Sequence, residues 1–164
     1  MENVKILLID SEPEFLDACR TVFNCESHQV LCVSNKEQAQ QTMNGSYDLI
    51  ILGTLSPAGH ALMLQRWLKS HPMYRYIPLL IVDSCFHERR WKGWRLSDGL
   101  QMEADEYASK PLEPADLAVL IQKLSENILS GDRRQMLETC WHAFLALDEE
   151  DRNILTNRIL ELRT

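Results

Sequence analysis

The feature that most constrains this chain is a fivefold alternation of short apolar runs with segments of helical periodicity. The runs are Val4–Ile9, Gln29–Ser34, Asp48–Leu52, Pro78–Val82 and the weaker Asp105–Ser109. The strongest runs are continuously apolar rather than alternating, which is typical of strands covered on both faces of a parallel sheet. Because helical segments separate the runs, the pattern predicts a doubly wound α/β domain with a five-stranded parallel sheet.

The remainder of the chain predicts a helical extension. A closing helix is expected from about Pro114 to Leu129, and Gly131 then begins a C-terminal tail. Two apolar stripes in the tail predict a helical hairpin, with Asp148 and Asp151 as an N-cap signal between its helices. The stripes are Leu137, Cys140 or Trp141, Phe144 and Leu147, followed by Ile154, Leu155, Ile159 and Leu162. We therefore assign residues 1–129 to the α/β domain and residues 130–164 to the hairpin.

The first stripe of the tail must be covered, because an apolar face of that size exceeds what a monomer normally exposes. Two arrangements would cover Trp141 and Phe144. The tail could fold back on its own domain, or it could pair with a second copy across a two-fold axis. We favour the homodimer through the C-terminal helices.

Composition excludes several classes of function. A formal charge of −7 over 164 residues argues against a nucleic-acid or anionic-membrane binder, whose phosphate contacts need clustered Lys and Arg. The five cysteines and five histidines show no metal-site spacing. Neither a signal peptide nor a membrane-spanning run is present, so we expect a cytoplasmic protein. No Ser/His/Asp or Cys/His nucleophile is formed, and no enzymatic activity is expected.

Four of the predicted strands end at residues that could form a site, three of them with charged side chains and the third strand with a glycine. They are Asp10, Ser11 and Glu12 after the first, Gly53 after the third, Asp83 after the fourth and Lys110 after the fifth. In an open parallel sheet, ligand chemistry gathers at the carboxyl ends of the strands. We expect these residues to share one pocket.

Four motifs in this order resemble the receiver domain of bacterial two-component response regulators, over residues 3–127. They are ILLIDSE (Ile6–Glu12), DLIILGTLSPAG (Asp48–Gly59), IPLLIVDS (Ile77–Ser84) and EADEYASKP (Glu103–Pro111). The resemblance implies a flavodoxin-like fold with strand order 2-1-3-4-5. It also implies a site in which an acidic pair holds Mg²⁺ and a strand-three aspartate accepts a phosphoryl group, while a Thr or Ser and a Lys bind the phosphoryl oxygens.

The residues of this chain match that site only in part. Asp10 matches the first acid, but Ser11 replaces the second and removes an anionic metal ligand. Gly53 replaces the phosphoacceptor, and Asp83 places negative charge where the family binds an anion. Lys110 is kept, with the Lys-Pro step that resembles the family's cis peptide.

These departures predict a degenerate pseudo-receiver that signals independently of phosphorylation through protein partners. We expect Mg²⁺ binding to be weak or absent, and Tyr107 matches the family's switch aromatic. Lys110 is expected to pair with Asp83 or Asp10, the alternative being a solvated ammonium. The competing function is a diverged receiver that still accepts phosphate, on another carboxylate, or binds a small ligand in the strand-end pocket.

The segment between Asp83 and Lys110 mixes basic and aromatic residues, among them Arg89, Trp91, Trp94 and Arg95. Three interpretations stand: a nucleic-acid surface, a lengthened helix whose tryptophans are buried on the sheet, and a protein-binding face with Trp and Arg anchors. The buried helix is the preferred interpretation. Trp91, Trp94, Arg95, Trp141 and Phe144 are the candidate interface residues.

Overall fold

A five-stranded parallel sheet organises the computed structural model, which describes residues 3–25, 28–43, 46–85, 87–89, 93–94, 103–128 and 131–161. The strands are β1 (Lys5–Ile9), β2 (Gln29–Val33), β3 (Leu49–Leu52), β4 (Leu79–Asp83) and β5 (Glu106–Ser109). Their order is β2-β1-β3-β4-β5, and every pairing is parallel. The predicted fold class and strand order are confirmed.

The continuous apolar runs form the centre of this sheet. Every residue of β3 and β4 is buried, and so are four of the five residues of β1. Strands with this composition need cover on both faces, because neither face tolerates water. The edge strand β5 is only partly buried, which explains why its apolar run is the weakest in the sequence.

Helices cover both faces of the sheet. They are α1 (Pro13–Cys25), α2 (Lys36–Thr42), α3 (His60–Ser70), a short 3₁₀ helix (Tyr74–Tyr76), α4 (Pro114–Ile128), α5 (Gly131–Ala146) and α6 (Glu149–Glu161). One core layer packs α1 and α4 on the sheet around Phe23, Leu117 and Ile121. The other packs α2 and α3 around Met43, Leu64 and Leu68. Side-chain caps begin two helices, since Asn35 accepts from the Gln38 amide and Asp148 from the Asp151 amide, each at 2.8 Å.

The tail folds back on its own domain. Phe144 is 8% exposed, and it joins the core layer of α3 with Trp141 and Leu147 beside it. His71 lies edge-on to the Phe144 ring at 5.2 Å and stacks on Tyr74 at 3.7 Å, and burial lowers the pKa of this imidazole to about 4. The arrangement that we did not favour therefore covers Phe144 and, in part, Trp141 and Leu147 of the first stripe. Phe144 is not an exposed interface anchor, and the half-buried Trp141 lies against Tyr74 of the same chain.

The segment between β4 and β5 corrects a second set of expectations. Trp94 is 6% exposed and belongs to the core layer of α3. It is therefore buried, as the preferred interpretation predicts. The prediction that Trp94 is an interface residue is wrong. In the described part of this segment, residues 87–89 form a turn and no helix occurs. Trp91 and Arg95 lie outside the described residues. Among the described helices, none has the length and apolar character needed to cross a membrane.

Candidate functional site

Parallel strands place the predicted site residues at one edge of the sheet. Asp10 follows β1, Gly53 follows β3, Asp83 ends β4 and Lys110 follows β5. Asp10 and Asp83 are almost completely buried carboxylates. The Lys110–Pro111 peptide bond is cis, as predicted. The two buried carboxylates have different partners, and they divide the strand ends into two separate networks.

The first network is centred on Lys110. Its ammonium lies 2.7 Å from Asp10 Oδ2 and 3.0 Å from Glu12 Oε2. It also sits over the Phe15 ring, 4.3 Å from the ring centroid, which adds a cation–π contact. The predicted internal ion pair is confirmed with Asp10 and not with Asp83. The lysine has two carboxylates and an aromatic face around it and is not a solvated cation.

Asp10 is the most tightly held carboxylate of this network. Its Oδ1 accepts from the Glu12 amide at 2.8 Å, and its Oδ2 accepts from Lys110 and, at 3.3 Å, from the Thr54 amide. Burial raises the pKa of this carboxyl, and the nearby Lys110 ammonium works in the opposite direction. The negative charge of Asp10 is therefore stable at this depth only because the lysine accompanies it.

The space beside Gly53 is taken by Asp10. A β-carbon built on Gly53 would lie 2.7 Å from the carboxyl carbon of Asp10 and closer still to Oδ2. Ordinary carbon–carbon contacts need about 3.5 to 4 Å. The backbone of Gly53 is not in the left-handed region, so the requirement for glycine here is one of space. Any side chain at this position, including an aspartate, would displace Asp10 from Lys110.

The second network is centred on Asp83. Its Oδ1 accepts from the amides of Ser84 at 2.7 Å and Trp94 at 3.0 Å. Its Oδ2 accepts from the Tyr107 hydroxyl at 2.6 Å and lies 3.1 Å from Arg89 Nε. This carboxylate therefore fastens the loop after β4 to the edge strand. Receiver domains bind an anionic phosphoryl oxygen at this position. In this chain the position holds the carboxylate of Asp83, which is itself an anion and already has hydrogen-bond partners.

Tyr107 and Arg89 extend that network across β5. Arg89 donates through Nη2 to the Ser109 hydroxyl at 2.9 Å. Tyr107 remains 44% exposed although its hydroxyl is bonded, and burial together with the Asp83 hydrogen bond raises its pKa. The predicted switch aromatic is thus tethered by a charge-assisted bond, which is stronger than a bond between neutral groups.

The residues present do not fit the Mg²⁺ site that the fold family implies. Mg²⁺ requires oxygen ligands in a near-octahedral arrangement. Ser11 donates its hydroxyl to the Thr54 carbonyl at 3.0 Å, Gly53 offers no side chain, and Asp10 is bonded to Lys110. Within the described ranges, no group of three or more His, Cys, Asp or Glu residues is arranged to hold a metal.

The sequence predicts most of this site, but not the bond between Glu12 and Lys110 or the participation of Arg89. Glu12 was predicted in the pocket, although its bond to Lys110 was not. Arg89 was recognised only as one basic residue of an aromatic and basic run. The charge of Asp83 was the available signal for Arg89, because a buried carboxylate at a strand end needs a nearby cation. Ser11 bonds to the β3 loop and contributes no charge.

The curated proteins to which the chain is similar include response regulators. No family model matches the chain. The chain is 22% identical to the response regulator SaeR of Staphylococcus epidermidis over 154 residues, which cover 94% of this chain and 64% of SaeR. It therefore spans less than two thirds of that relative.

Solved receiver domains share the fold. A signal receiver domain of a histidine kinase from Syntrophus aciditrophicus superposes with a TM-score of 0.67 at 24% identity, covering 77% of this chain and 93% of that one. The receiver domain of the response regulator TorR gives 0.63 at 28% identity, covering 76% and 98%. Sequence likeness, strand order and the placement of the strand-end residues together support a receiver domain of the response-regulator type.

Proposed function

We propose that this chain is a receiver-like signalling module that works without phosphorylation and acts by contact with protein partners. One observation carries the proposal: the strand-three position is Gly53, and the carboxylate of Asp10 fills the space where a phosphoacceptor would stand. A hydrogen atom cannot act as a nucleophile. The module is accordingly not an enzyme and uses no Mg²⁺.

The charges around the pocket support the same proposal. In a phosphoryl-transfer site, cations and metal offset the charge of the group in transfer. Here the Lys110 ammonium is already bonded to two carboxylates, and the buried Asp83 adds a further negative charge at the neighbouring strand end. A phosphoryl group entering this pocket would meet a lysine already bonded to two carboxylates and a buried Asp83 carboxylate whose nearby cation, Arg89, is already paired with it.

Exposure to a phosphodonor tests the proposal directly. After incubation with acetyl phosphate and MgCl₂, intact mass spectrometry is expected to show no phosphate adduct on this chain. A receiver domain with an aspartate at the strand-three position, treated in parallel, serves as the positive control. A stoichiometric, metal-dependent adduct on the native chain, on Asp10, Asp83 or any other residue, would overturn phosphorylation independence.

Self-association through the C-terminal helices is the second part of the proposal. Folding back covers Phe144, but apolar side chains of the hairpin remain exposed: Met136, Leu145, Ile154 and Leu155. Sedimentation equilibrium is expected to show a dimer that the double variant Ile154→Glu/Leu155→Glu dissociates. Val119→Glu, which alters an exposed apolar residue on α4, should remain dimeric. A native chain that is monomeric across the concentration range would contradict this part.

A further inference from the structure

A small aromatic cluster joins the C-terminal hairpin to the α/β domain. His71, at the C-terminal cap of α3, stacks on Tyr74 of the 3₁₀ helix with 3.7 Å between ring centroids. The same imidazole makes a T-shaped contact with the Phe144 ring of α5 at 5.2 Å. Trp141 of α5 lies 5.7 Å from the Tyr74 ring. His71 is therefore in contact with both the domain and the hairpin.

The Nδ1 atom of His71 already acts as a hydrogen-bond acceptor. The backbone amides of Met73 and Tyr74 donate to it at 3.2 Å and 3.4 Å. An imidazole nitrogen that accepts a hydrogen bond carries no proton, so this ring is neutral with its proton on Nε2. Protonation of Nδ1 would turn it into a donor that faces two other donors. The ring would then have to rotate away from Tyr74 and Phe144.

The described charged groups around the ring do not compensate an imidazolium. Burial is the one influence that these residues exert on the pKa of His71, which it lowers to about 4. Tyr74 stays neutral, because burial raises its pKa to about 12, and its hydroxyl donates to the Met43 carbonyl. On α5, the described titratable side chains of Cys140 and His142 are exposed. Partly or fully buried cations of the surrounding helices have other contacts: Lys69 pairs with Asp105, Arg75 lies over the Tyr76 ring, and Arg152 donates to the Asp148 carbonyl.

Docking of the hairpin and protonation of His71 therefore oppose each other. When the hairpin leaves, the imidazole gains water, and its pKa rises from about 4 toward the ordinary value of about 6.5. The docked form thus binds fewer protons than the released form, so docking weakens as pH falls from about 6.5 to about 4. Between pH 7.5 and pH 5.0, these two pKa values correspond to a fall in the docking equilibrium constant of up to about thirtyfold.

We propose that His71 is a proton-sensitive latch, which holds the C-terminal hairpin on the domain at neutral pH and releases it in mild acid. The imidazole bridges Tyr74 and Phe144 only while its Nδ1 can accept from the two backbone amides. His71 lies between α3 and the start of β4, at the opposite edge of the sheet from Asp10 and Lys110. The latch is therefore separate from the strand-end site. It goes beyond the proposed function, because it assigns a condition under which the surface of the module changes.

Hydrogen exchange of the full chain, measured by mass spectrometry, tests the latch. After correction for the intrinsic pH dependence of exchange, the amides of α5 are expected to lose up to about thirtyfold in protection between pH 7.5 and pH 5.0. The amides of β1 and β3 should keep their protection. Equal protection of α5 at both pH values would overturn the proposal. A parallel loss in β1 and β3 would also overturn it, because the transition would then be global unfolding.

Direct titration of the imidazole gives an independent measurement. Followed by ¹H–¹³C NMR of its ring in the full chain, His71 should titrate well below pH 6.5, the approximate value for an unperturbed imidazole. Titration at or above that pH would contradict the latch, because the docked form would then bind the proton at least as tightly as the released form.

Two variants separate the latch from other effects of acid. The side-chain oxygen of asparagine can accept from nearby backbone amides but does not titrate, so His71→Asn should remove the pH dependence of α5 protection. His142→Gln removes an exposed histidine of the same helix and should retain that dependence. Its persistence in His71→Asn, or its loss in His142→Gln, would contradict the assignment. If the hairpin of His71→Asn is already released at pH 7.5, the imidazole titration of the native chain decides. These measurements involve no phosphodonor, so the latch and the proposed function fail separately.

Discussion

Replacing Lys110 by methionine is expected to lower the free energy of unfolding by about 3 to 5 kcal/mol at neutral pH, the usual cost of removing one partner of a buried ion pair. Methionine keeps most of the length of the side chain and can still contact the Phe15 ring. The loss therefore reports the uncompensated charge that remains on Asp10, whose side chain is completely buried. Urea unfolding followed by tryptophan fluorescence measures it.

The pH dependence of that loss identifies its cause. Without the ammonium, the largest influence that lowers the pKa of the Asp10 carboxyl is gone, and burial then raises this pKa further above the unfolded value than in the native chain. A carboxyl with a raised folded pKa binds its proton more tightly in the folded state than in the unfolded state. Its destabilising effect therefore grows as pH rises from the unfolded pKa to the folded pKa, and it disappears below the unfolded pKa. The deficit of Lys110→Met should therefore be smaller near pH 4.5 than at pH 7.5.

Two controls accompany the measurement. Lys123→Met removes an exposed lysine that pairs with Glu106 at 2.8 Å, and an exposed pair should cost less than about 1 kcal/mol. The double variant Lys110→Met/Asp10→Asn removes both buried charges and should recover part of the lost stability. An equal deficit for Lys110→Met at both pH values would contradict the role assigned to Asp10.

The strand ends could be predicted from the sequence because parallel topology is a strong constraint. Once the apolar runs specify parallel strands, the residues that follow them must share one edge of the sheet. Asp10 and Lys110 are 100 positions apart in the sequence. The strand-end argument nevertheless predicts that Lys110 pairs with Asp83 or Asp10, and the pair with Asp10 is the one present. The burial of Trp94 is also confirmed, but the lengthened helix predicted with it is absent from the described residues of this segment.

The remaining features of the site and of the C-terminal helices depend on side-chain rotamers and on how the helices pack. The hydrophobic periodicity of the sequence does not specify either of these. The sequence shows that Gly53 lacks a carboxylate, but not that the Asp10 carboxylate occupies the space beside it. It shows that Asp83 needs partners, but not that the amide of Trp94, eleven positions away, is one of them. The apolar stripe of α5 predicts a covered face and is equally compatible with a second copy or with α3 as the cover.

Gly53→Ala is expected to destabilise the chain by about 2 to 4 kcal/mol, an effect well above that of an ordinary glycine-to-alanine change. The added methyl group would overlap the Asp10 carboxylate, which must then turn away from Lys110 and from the Thr54 amide. Gly53→Asp should lose at least as much stability, because it adds a second negative charge beside the first. Restoring the aspartate should therefore not restore a working phosphoacceptor site.

A double-mutant cycle separates this steric conflict from a general intolerance of side chains at the end of β3. In the Asp10→Ala background, the two atoms nearest to the new β-carbon are gone, and Gly53→Ala should then cost less than about 1 kcal/mol. The coupling free energy between the two positions would be at least about 1 kcal/mol, as expected for residues that compete for one space. Additive losses would mean that Asp10 is not what keeps position 53 a glycine. In that case the absence of a phosphoacceptor at position 53 would be unrelated to the Asp10–Lys110 pair. The glycine would not be what allows this pair to form.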